Sequence, residues 1–87
     1  MTLFNLIQNH DLTVSYDSFL GAFNIEIPES NATDAAIADI SGVFSQTGPF
    51  EIMLVNPAKF PNVVKTLTFV NNGQLQDTWV PPVSHNL

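Results

Sequence analysis

Phe19-Leu20-Gly21-Ala22-Phe23-Asn24-Ile25-Glu26-Ile27 alternates in a period of two, with Phe19, Phe23, Ile25 and Ile27 on one side and Asn24 and Glu26 on the other. Side chains of a strand point to opposite faces in turn, so this pattern predicts a half-buried strand. The preceding Leu12-Thr13-Val14-Ser15-Tyr16 alternates in the same way and is placed to pair with it across a turn near Asp17-Ser18. Residues 2–8 are compatible with a strand or a helical turn, and we assign them as a strand.

Downstream, Pro28 ends the strand and Asn31 offers a helix cap, with Asp34 in the first turn to complement the helix dipole. Ala36, Ile37, Ile40, Val43 and Phe44 then recur at the helical period and form one apolar stripe. A helix over about 31–45 follows, ending before Gly48-Pro49. Phe50-Glu51-Ile52-Met53-Leu54-Val55 is apolar on nearly both faces, which marks a central strand. Asn56-Pro57 and Phe60-Pro61 bound a loop after it. Val63 to Val70, a turn at Asn71-Asn72-Gly73 and Gln74 to Val80 predict a C-terminal hairpin over 63–80. A three-residue loop with Gly73 in a left-handed bulge places Val63, Leu67, Phe69, Leu75 and Trp79 toward the core and Thr66, Thr68, Gln76 and Thr78 outward.

The expected fold is therefore α+β and mostly β: an antiparallel sheet of about five to six short strands, one amphipathic helix packed on it, and the hairpin. Residues 1–80 form the single domain. Pro81 and Pro82 cannot donate to a ladder, so residues 81–87 are expected as an extended tail.

Eighty-seven residues allow one modest core, since a chain this short buries only roughly 60–65% of its unfolded surface. With 45% apolar residues it has the material to fold, and with no cysteine it has no disulfide to help. The start of the chain has no basic region, and no run approaches the roughly 20 apolar residues of a membrane span. Synthesis in the cytoplasm without a signal peptide, and no membrane partner, are the expectations.

Charge is sparse: 11% of residues, with Lys59 and Lys65 the sole basic ones and a net charge of −6. Phosphate backbones are bound by Lys and Arg, so direct nucleic-acid binding is not expected. The polar surface comes from 26 Ser, Thr, Asn and Gln residues, which are more easily desolvated against a partner than charges are.

No constellation for catalysis is present. His10 and His85 lack a second His or Cys at ligand spacing, and an exposed turn histidine is expected at His10. None of the six serines or seven threonines sits in a nucleophile motif. The glycines around Phe44 lack the lysine of a phosphate loop. We expect a protein that is not an enzyme and takes no cofactor or metal.

Two candidate contact sites remain. One is the C-terminal segment Trp79, Val80, Pro81, Pro82 and Val83, an aromatic followed by a preformed extended stretch that docks at low entropic cost. The other is the helix side carrying Ala35, Ala38 and Gly42, where small side chains admit a close neighbour. Small size, richness in Asn, Thr and Phe, and scarcity of basic residues are common among accessory proteins of virus particles. The expected function is a structural or accessory subunit of a larger assembly, such as a virion cement or decoration protein contacting shell or scaffold subunits, with homo-oligomerisation compatible. The alternative is a small acidic inhibitor that blocks a basic nucleic-acid site on a target enzyme.

Overall fold

A computed structural model describes residues 2–70. Its elements, in chain order, are α1 (Leu3–His10), β1 (Thr13–Asp17), β2 (Ala22–Pro28), a 3-10 turn (Glu29–Asn31), α2 (Asp34–Phe44), β3 (Phe50–Val55) and β4 (Val63–Phe69). The predicted second hairpin strand and the segment from Trp79 to Val83 lie outside the described residues.

Residues 2–8 are helical, not a strand. Thr2 caps α1 by accepting the Asn5 N–H at 3.2 Å, and Asp11 closes it in the left-handed conformation at φ 58°. The N–H groups of Asp11 and Leu12 both return to the Ile7 carbonyl, which satisfies the end of the helix. Leu3, Leu6 and Ile7 stand three and four residues apart, the spacing of one helical face, and Leu6 is fully buried.

The strands follow one another in space as β1-β2-β3-β4, and the sheet is mixed, not wholly antiparallel, with four strands among the described residues. β1 and β2 are antiparallel, β2 and β3 parallel, and β3 and β4 antiparallel. The parallel pair has a direct cause: the chain leaves β2 at Pro28, travels back through α2 and re-enters at Phe50 beside Phe23. A helical crossover is what two parallel neighbours require. α2 begins three residues later than predicted, because Thr33 and not Asn31 supplies the cap, its hydroxyl accepting from the Ala36 N–H at 3.1 Å. Asn31 instead donates its side-chain amide to the His10 carbonyl, joining the 3-10 turn to α1.

One sheet face carries the core, in rows that cross the strands. Val14, Ile25, Ile52 and Leu67 form one row, and Ile27 and Leu54 begin another that ends on Lys65. Ala36, Ile37, Ile40 and Phe44 of α2 and Leu6 of α1 close over them, and the core contains no buried polar residue among those described. The predicted α2 stripe is thus the buried one. Val63 departs from its expected core position: an irregularity between Leu54 and Val55 shifts the register, so Val63 stands opposite Val55 and is exposed while Val64 packs on the core. Phe19 also leaves the core face, since β1 and β2 are joined by a turn that begins at Ser18 and includes it.

Candidate protein-contact site

At the end of the sheet where β2 and β3 begin, Tyr16, Phe23, Phe50 and Phe69 occupy one cross-strand row. Tyr16 meets Phe23 edge-on at 5.0 Å between ring centroids, and Phe50 stacks on Phe69 at 4.6 Å. Phe44 of α2 bridges the middle, 5.4 Å from Phe23 and 6.0 Å from Phe50. Five rings therefore run from the β1 edge to β4 and form a stiff base, each contact within the 4.5–7 Å range of favourable aromatic pairs.

The β1–β2 turn projects from this base. The Asp17 carboxylate accepts the N–H groups of Phe19 at 2.9 Å and Leu20 at 3.1 Å, while its carbonyl accepts from Gly21 at 2.8 Å. Gly21 takes φ +66°, a conformation that a residue with a Cβ adopts at a cost, and it lets the chain turn back into β2. Inside this frame the two apolar side chains point away from the protein: Phe19 is 100% exposed and Leu20 64% exposed. An isolated exposed leucine needs no explanation, but two adjacent large apolar side chains presented on a backbone turn held by three bonds form an apolar plug. Asp17→Ala removes both side-chain bonds. It should cost about 1 kcal/mol, the net worth of such bonds, and broaden the amide signals of Phe19 and Leu20 in NMR spectra.

The opposite end of the sheet is built differently. Glu26, Pro28, Val55, Pro57, Asn62 and Val63 line an open groove of about 460 Å³. Its loop is held by Glu29, which accepts from the Asn56 amide at 3.1 Å and lies 3.8 Å from the Lys59 ammonium. The size suits a small ligand, and among the described residues Glu26 is the one ionisable group in the lining. Phe60, 99% exposed, stands on the same loop.

His10 is not the exposed turn residue expected. It ends α1 and its Nε2 lies 3.1 Å from Oδ2 of Asp39, with its side chain 17% exposed. The pair joins α1 to α2. No third His, Cys, Asp or Glu gathers into a metal-binding group among the described residues. Ala35, Ala38 and Gly42 do share the exposed side of α2, and a Cβ added at Gly42 would meet nothing within 4 Å. No described helix is long and apolar enough to cross a membrane. No protein-family model, characterised protein or solved structure matches this chain.

Proposed function

We propose that the chain is a non-enzymatic accessory subunit of a larger protein assembly, attached to its partner through the β1–β2 turn. The observation that carries this reading is the Phe19-Leu20 plug, fully presented yet held by Asp17. A turn whose backbone is already fixed has less entropy to lose on docking, and buried aromatic anchors dominate protein interfaces. The weakly charged polar surface supports the same conclusion, and a cement or decoration role on a virion shell is the form of assembly that composition favours. The C-terminal segment from Trp79 to Val83 and the α2 side bearing Ala35, Ala38 and Gly42 are secondary contact candidates in this proposal.

The test is gradient sedimentation of the tagged full-length chain from its native source. The wild type should travel with a heavy assembly. A Phe19→Ser, Leu20→Ser variant should remain near the top while melting as the wild type does, because neither side chain is part of the core. A wild type that stays at the top would overturn the reading. Salt separates it from the acidic-inhibitor alternative: association through an apolar plug persists at high ionic strength, whereas mimicry of phosphate by carboxylates is lost.

A further inference from the structure

Among the described residues the sheet has two outer strands, β1 and β4. There β4 pairs with β3 alone and β1 with β2 alone, and β1 is the strand whose composition leaves its edge unguarded. Such an edge presents a row of backbone donors and acceptors, and proteins usually guard it with lysine, proline or a bulge. Thr13-Val14-Ser15-Tyr16-Asp17 contains no lysine or proline, and its register with β2 is unbroken.

We infer that β1 is a homodimerisation edge, pairing antiparallel with β1 of a second copy about a twofold axis at Ser15. The strand is complementary to itself in that register. Ser15 meets its own copy, Thr13 meets Asp17, and Val14 meets Tyr16, a β-branched residue against an aromatic on the core side. Charge selects this register over its neighbours. The two Asp17 carboxylates stand about 14 Å apart, four residues along the ladder, farther than the screening length of roughly 8 Å in physiological salt. Shifting the axis to Val14 would set Asp11 directly opposite Asp17. Moving it to Tyr16 would run each strand into the other's turn at Ser18 and Phe19.

Five residues of ladder are less than the roughly 1,000 Å² that a specific interface buries, so the helix layer must contribute. A twofold axis normal to the sheet keeps both helix layers on one face. Asp11-Leu12 ties the end of α1 to the start of β1, and apolar side chains are exposed on both elements: Leu3 and Phe4 at 45% and 66%, and Tyr16 at 57%. These side chains supply the apolar area that the ladder lacks. The inference is independent of the turn as a partner site, and each dimer would carry two Phe19-Leu20 plugs at opposite ends.

Sedimentation equilibrium of the full-length chain should give twice the monomer mass, and Ser15→Lys, which sets two ammonium groups face to face on the exposed side of β1, should return it to one. The chain has no cysteine, so single substitutions report the register directly. Under copper–phenanthroline oxidation in air, Ser15→Cys should form a disulfide-linked dimer at least ten times faster than Thr13→Cys, whose two copies lie about 14 Å apart by the same ladder spacing. The Phe19→Ser, Leu20→Ser variant should stay dimeric, which separates this edge from the turn. A wild type that is monomeric at millimolar concentration, or equal cross-linking at positions 13 and 15, would overturn the inference.

Discussion

Phe50→Ala should unfold much of the population at moderate temperature, with a loss of about 3–5 kcal/mol as for other buried aromatics cut to alanine. Phe50 is fully buried as the first residue of β3, and it touches Phe69 on one side and Phe44 of α2 on the other. Its removal empties the centre of the five-ring row, and neither neighbour can fill the space, because Phe44 is held by the helix and Phe69 by β4. Domains of this size have about 5–15 kcal/mol in all, so the loss consumes a large share. At roughly 4–8 °C per kcal/mol, the thermal midpoint should fall by more than about 12 °C. Phe60→Ala is the control, since a side chain 99% exposed should change stability by less than about 0.5 kcal/mol. A small shift for Phe50→Ala would show that the aromatic row does not carry the core.

The same row explains what could be read from the sequence. The α2 stripe of Ala36, Ile37, Ile40, Val43 and Phe44 and the alternation from Phe23 to Ile27 are signals of local period, and each packs as its period demands. Partner choice between strands is not a periodic signal. β2, a helical stretch and β3 in succession are the pattern of a parallel crossover, but β3 is equally apolar whichever neighbour it has. α1 was ambiguous because Leu3, Phe4, Leu6 and Ile7 suit either element; the decision lies in Thr2 and in the left-handed Asp11, two single residues.

Phe19 shows how a binding feature hides within a structural pattern. Its spacing from Phe23 continues the alternation and so points to the core, yet Asp17 and Gly21 bracket it with turn chemistry that takes it out of the strand. The contact between His10 and Asp39 spans 29 positions, and nothing local to either residue announces it. Val63 differs from its period for a third reason: a one-residue irregularity turns the end of the strand over.

Leu6→Ala is the second substitution with a large expected effect, and it asks what holds α1 to the domain. Eight residues are fewer than the roughly 12–15 that an isolated helix needs in water, so α1 persists by tertiary contact. Leu6 in the core, with Ile7 packed beside it, is the apolar contact; the polar ones are the His10–Asp39 pair and the Asn31 amide on the His10 carbonyl. Leu6 is completely buried, and its truncation should cost about 2–5 kcal/mol. Asp39 is 39% exposed in its side chain, where water screens the interaction, so Asp39→Asn should cost no more than about 1 kcal/mol. Thermal melts should therefore rank Leu6→Ala far below Asp39→Asn. Hydrogen exchange adds the location: the amides from Leu6 to His10 should lose protection in Leu6→Ala before the strands do, because undocking the helix leaves the sheet and α2 paired. If Asp39→Asn released α1 and Leu6→Ala did not, the helix would be held by the His10–Asp39 contact and not by the core.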